Sequence, residues 1–109
     1  MAWVSLVLAG ACEIIWAAGL KRFGFKPTAG GAATVVVMLL SFVLLERAMR
    51  TLPLGTAYAI WTGIGAVGAA AVGMIAFHEP RDWPRLACIA AIVAGIVGLK
   101  LLAPPAAGN

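Results

Sequence analysis

The chain has 109 residues, of which 63% are apolar and only 11% are Asp, Glu, Lys or Arg. Soluble domains average about 45–50% apolar and roughly 25% charged residues, so a soluble fold, a disordered chain, a disulfide scaffold and a basic nucleic-acid-binding domain are excluded. A membrane-crossing helix takes about 20 residues, so residues 1–109 accommodate a single four-helix transmembrane domain with short turns and no extramembrane domain.

The first expected span covers about residues 2–20, with Glu13 as its single charge. In hydrocarbon every backbone polar group needs a partner within the protein. Uninterrupted apolar runs meet that demand as helices, since barrel strands alternate and are about half as long. No basic residue precedes this span, and its length suits a full crossing better than the short core of a signal peptide. Glu13 falls near the bilayer midplane, where an ionisable group costs on the order of 2.5–3.5 kcal/mol. No Lys or Arg stands within four residues of it. Stripped of water, such a carboxyl holds either a proton or a cation, which is the essential part of a proton/cation exchanger. The alternative is a neutral structural acid bonded to a backbone carbonyl. Trp16, one turn further on, offers an indole N–H donor and a π face that attracts cations. It lies deeper than Trp3, which suits an interfacial belt better. Cys12 and, later, Cys88 fall inside spans and read as small packing residues.

The turn Lys21–Pro27 carries charge, Gly and Pro where a helix should stop. The second span, about 28–46, is apolar up to Glu46. Its Ser41 is a small polar residue that either orients site groups or bonds back to its own helix. After Arg50–Pro53 comes the third span, about 55–77, lying in a stretch with no Asp, Glu, Lys or Arg from Thr51 to His78. Tyr58 and Trp61 stand one turn apart on it, followed by Thr62, Gly63, Gly65 and Gly68. A hydroxyl and an indole on one stripe make either a binding wall or a plain packing pair. The Gly-x-Gly step loosens the helix and lets a neighbour approach.

His78–Pro84 forms the last turn, and the fourth span covers about 85–103, with Lys100 snorkelling outward. That span has no acid and no aromatic; Ala87, Ala91 and Gly95 recur at four-residue steps, with Ala94 and Gly98 one row over. This small-xxx-small pattern permits close helix contact and is read as an association face. Glu46, Arg47, His78, Glu79 and Asp82 sit at span ends, where a solvated or snorkelling role is the simpler reading. The tail Pro104–Asn109 is expected to be frayed and solvated. Basic residues are nearly balanced between the two sides: Lys21, Arg22, Lys26, Arg81 and Arg85 against Arg47, Arg50, Lys100 and the amino terminus. The positive-inside rule needs an asymmetry, so insertion in both orientations is expected. Four spans with one buried carboxylate do not readily enclose a pathway, which implies at least a dimer. One His and two isolated Cys offer no metal site, and no nucleophile–base pair is present, so neither an enzyme nor a cofactor is expected.

Glu13 with Trp16-x-x-Gly19-Leu20-Lys21, followed by Leu52-Pro53-Leu54-Gly55-Thr56-Ala57-Tyr58-Ala59-Ile60-Trp61-Thr62-Gly63-Ile64-Gly65-Ala66-Val67-Gly68, closely resembles the small multidrug resistance family. The resemblance covers essentially the whole chain. Trp16, Thr62 and the Ala66-Val67-Gly68 run look like its guanidinium-exporter branch; the quaternary-ammonium exporters tend to carry a small residue and Ser at the first two positions. The resemblance implies an antiparallel, dual-topology homodimer in the bacterial inner membrane, with the fourth helices as its main contact. It implies that Glu13 of both subunits binds either protons or guanidinium, with Trp16, Ser41, Tyr58 and Trp61 lining the site. Lys100 corresponds to a lysine recurring near the end of the last span. Glu46-Arg47 departs from the pattern and either shortens the second span or forms an interfacial ion pair. His78-Glu79-Pro80 departs slightly from a glycine-containing turn. The alternatives are a broader exporter of quaternary ammonium or polyamine cations on the same scaffold and, in a different class, a small passive channel.

Overall fold

The computed structural model describes residues 2–103; Met1 and the tail Pro104–Asn109 lie outside the described residues. All regular structure among the described residues is helical: α1 (Ala2–Phe23), α2 (Ala29–Met49), α3 (Leu54–Ala76) and α4 (Trp83–Leu102). Each helix is long and apolar enough to cross a membrane. At about 1.5 Å per residue, such helices match a hydrocarbon core of about 30 Å.

The helix ends follow local chemistry. α1 runs past the apolar stretch through Lys21 and Arg22, cations that complement the negative end of its dipole. Gly24 then adopts a left-handed φ of 66° and donates its N–H to the Leu20 carbonyl at 2.9 Å. Thr28 caps α2, its hydroxyl accepting from the Gly31 N–H at 3.1 Å. α2 is not shortened by Glu46-Arg47 but continues to Met49. The Glu46 carboxylate accepts from both Nε and a terminal nitrogen of Arg50, each at 3.0 Å, an exposed pair one turn apart. Pro53 precedes α3, and Pro84 occupies the first turn of α4, where its missing N–H costs no hydrogen bond.

Short turns make successive helices antiparallel, so α1 and α3 run in the same direction. α1 packs between α2 and α3, whereas α4 packs its backbone against α3 and reaches α1 through the Lys100 side chain at Trp3. The result is a slab with extents of 43 × 36 × 16 Å. Its core is formed by Leu6 and Ala9 of α1, Leu45 and Ala48 of α2, Leu52, and Ala57, Ile60 and Trp61 of α3. These residues cluster toward the end where α1 begins and α2 stops. Gly10 lets α3 come close there, since a Cβ on it would strike Ile64. Toward the opposite end lie two cavities, one of about 280 Å³ between α1 and α3 and one of about 350 Å³ lined by α1, α2 and α3. No residue of α4 is buried.

Candidate cation-binding site

Helix α1 carries Glu13 and turns its carboxyl toward α3. A Cβ at Gly65 would fall on that carboxyl, so the bare Gly65 backbone is the seat of the acid. The Glu13 Oε1 and the Trp16 Nε1 are both buried without a hydrogen-bond partner among the described residues. One is an acceptor, the other a donor, and they stand one turn apart on the same helix. Leaving such a group unpaired costs about 1–3 kcal/mol, which a packed core would avoid and a polar-ligand site tolerates. No cationic side chain compensates Glu13: the ion pairs among the described residues are Arg50–Glu46 and Arg85–Asp82.

Beside this pair runs a closed hydrogen-bond chain. The Trp61 indole N–H donates to the Ser41 Oγ at 3.0 Å, and the Ser41 hydroxyl donates to the Ala9 carbonyl at 2.7 Å. Ser41 has no exposed surface. In the α-helical ladder the Ala9 carbonyl also accepts the Glu13 N–H. Ser41 therefore ties α2 and α3 to α1 at the turn that carries the acid. It does not bond back to its own helix, the alternative that sequence had left open.

Aromatic rings extend the wall. Trp16 meets Phe42 edge-on at 6.4 Å between centroids, Phe42 meets Trp61 at 5.8 Å, and Trp61 meets Tyr58 at 5.4 Å. These are ordinary aromatic packing distances, and they hold the indoles at defined angles. Tyr58, at the end of the row, is half exposed. Phe42 was missing from the sequence-derived set. An apolar ring in an apolar span carries no polar signal, and only its place between two tryptophans shows its role.

The remaining candidates lie elsewhere. Thr62 donates its hydroxyl to the Tyr58 and Ala59 carbonyls of its own helix. Gly63 faces α4, where a Cβ would press on Ile96. The Lys100 ammonium lies 4.8 Å from the Trp3 ring centroid, near the start of α1. On α4, Ala87, Ala91, Ala94 and Gly95 are exposed and Gly98 is half-buried. A Cβ built at Gly95 or Gly98 would meet nothing within 4 Å.

Four membrane-length helices, with an unpartnered acid deep within the first, define a small multi-pass membrane protein built around an intramembrane polar site. Residues 1–92 match the model of the Small Multidrug Resistance protein family. The chain belongs to that family. It is 52% identical over 102 residues to the guanidinium exporter of Escherichia coli (strain K12), covering 93% of this chain and 97% of that one. It is 51% identical over 104 residues to the guanidinium exporter of Salmonella typhimurium (strain LT2), covering 94% and 99%. Against the guanidinium exporter of Citrobacter freundii it is 50% identical over 102 residues, covering 93% and 97%.

Proposed function

We propose that this chain exports guanidinium in exchange for protons, acting as an antiparallel homodimer in the bacterial inner membrane. The carrying observation is the half-buried Glu13 carboxyl, seated on Gly65 with its Oε1 buried and unpartnered, one turn from the Trp16 indole. The names of relatives at 50–52% identity support guanidinium as the substrate. Guanidinium is planar with N–H donors in fixed directions, so it meets a carboxylate by two parallel hydrogen bonds and lies flat against aromatic faces. Trp16, Trp61 and Tyr58 supply such faces, Phe42 holds them at an angle, and Ser41 sets the Trp61 indole.

Three features support a dimer in both orientations: a slab only 16 Å thick, an α4 with no buried residue and a row of small residues, and nearly balanced basic residues. Gly95 and Gly98 on α4 let a second α4 approach closely. In such a dimer the two Glu13 carboxyls titrate as a coupled pair. Cation binding displaces protons from the pair, and proton binding expels the cation. Mutually exclusive occupancy, with opening to alternate sides, yields antiport without covalent chemistry. Gly65 and Gly63 let α3 pack closely on both neighbours, and Thr62 stiffens the turn after Tyr58. Lys100 anchors the end of α4 on Trp3.

Reconstituted in liposomes, the wild-type chain is expected to drive proton flux when a guanidinium gradient is imposed. Glu13→Gln removes the charge with little change of shape and is expected to abolish both the flux and the proton release on guanidinium binding. Exchange by Glu13→Gln at the wild-type rate would overturn the mechanism.

A further inference from the structure

A cavity between α1 and α3 begins one helical turn beyond Glu13, at Ala17. Ala17 and Lys21 follow Glu13 at four-residue steps on α1, and Ala69 and Gly73 follow Gly65 at the same steps on α3. The two rows face each other because the helices are parallel neighbours. Ala17, Lys21, Ala69, Gly73, Phe77 and Glu79 line the resulting cavity of about 280 Å³. At about 30 Å³ per water, this holds a small organic cation with part of its hydration shell. Lys21 and Gly73 stand about 12 Å along the helix axes from Glu13 and Gly65, so the cavity mouth falls at the edge of the hydrocarbon.

Glu79 is turned into that mouth by an unusual backbone. His78 adopts a left-handed φ of 57°, a conformation disfavoured for any residue with a Cβ. The bend lets the Phe77 and Glu79 N–H groups both donate to the Gly73 carbonyl, at 3.1 and 3.0 Å. The Glu79 carboxyl then lies over Gly73, where a Cβ would collide with it. A carboxylate at the C-terminal end of a helix faces the negative end of the dipole, so the helix does not hold it there. Lys21 stands on the opposite wall. Neither group is among the ion pairs of the described residues. A span-end acid expected to be merely solvated or snorkelling is thus folded back over the α1–α3 cavity, opposite Lys21.

We propose that this α1–α3 cavity is the vestibule of the cation route to Glu13, and that Glu79 is its entry carboxylate, opposed by Lys21. The proposal rests on the transport reading above and adds the group that first meets the cation. Glu79 raises the local concentration of a guanidinium-type ion one charge-pair away from the midplane, and Lys21 limits how firmly it is retained there. The sign of each charge, not merely its presence, governs uptake.

Two measurements test this. In liposomes, Glu79→Gln is expected to raise the KM for guanidinium about tenfold with the maximal rate within twofold, and Lys21→Gln to lower the KM. Glu79→Asp restores the wild-type KM. The second readout does not depend on transport. In a background with Cys12→Ala and Cys88→Ala, Ala69→Cys is labelled with a cationic and an anionic methanethiosulfonate reagent. The cationic-to-anionic rate ratio is expected to fall about fivefold when Glu79→Gln is added. An unchanged ratio, or no labelling of residue 69 by either reagent, would overturn the vestibule. An unchanged KM in a wild-type-active background would overturn the role of Glu79. If the wild-type chain instead fails to exchange guanidinium for protons, the transport reading falls while the labelling ratio still decides the vestibule.

Discussion

Gly65→Ala tests the seat of Glu13 with a single methyl group. The added Cβ would overlap the Glu13 carboxyl, so either the acid must leave its rotamer or α1 and α3 must separate. Overpacking of this kind costs about 1–3 kcal/mol. Replacing a mid-helix glycine by alanine returns roughly 0.5–1 kcal/mol of backbone propensity. The middles of the two ranges leave about 1.3 kcal/mol against the geometry proposed to meet guanidinium, equivalent to about an eightfold weaker Kd at 1.4 kcal/mol per decade. Titration calorimetry of the purified protein with guanidinium measures this directly. Gly55→Ala is the matched control, because a Cβ at Gly55 meets nothing within 4 Å. Gly65→Ala binding as tightly as Gly55→Ala would refute the idea that Gly65 positions the acid.

Two further substitutions probe the rest of the assembly. Ser41→Ala removes the acceptor of the Trp61 indole N–H and the second donor to the Ala9 carbonyl. An orphaned buried donor costs about 1–3 kcal/mol, so a lower thermal midpoint and weaker guanidinium binding are expected, and an unchanged midpoint would show that the chain carries no load. On α4, Gly95→Leu with Gly98→Leu fills the row of small residues, and the Cβ of each new side chain meets nothing in the protomer within 4 Å. Crosslinking in liposomes is expected to drop to monomer while the helical circular dichroism stays; a dimer that persists would remove α4 as the contact.

Much of the architecture was legible in one dimension. The bilayer permits only elements that satisfy their own backbone, so four apolar runs broken by charged, Pro- and Gly-containing turns translate directly into α1–α4. Glu13 was equally visible, since a lone acid far from any Lys or Arg in an apolar run is costly wherever it packs. Pairs one turn apart, such as Glu13 with Trp16 and Tyr58 with Trp61, follow from helical spacing alone.

Contacts between helices were not legible, because each depends on which face meets which neighbour. Ser41 had two readings in sequence, orienting the site groups or bonding back to its own helix. Only the approach of α2 to α1 directs it to the Ala9 carbonyl, so that it can receive Trp61. Phe42 has no polar atom and gained a role only from its place between Trp16 and Trp61. Gly65 read as a step that loosens α3 and lets a neighbour approach, and only the fold shows that the neighbour is Glu13. Glu79 shows the limit most plainly: its span-end position indicated a solvated charge, and a left-handed His78 folds it back over α3. Sequence by itself determined the membrane helices and the acid within them, through the cost of burying polar groups. Tertiary structure decided what faces that acid, because close approach and side-chain direction arise only when helices pack.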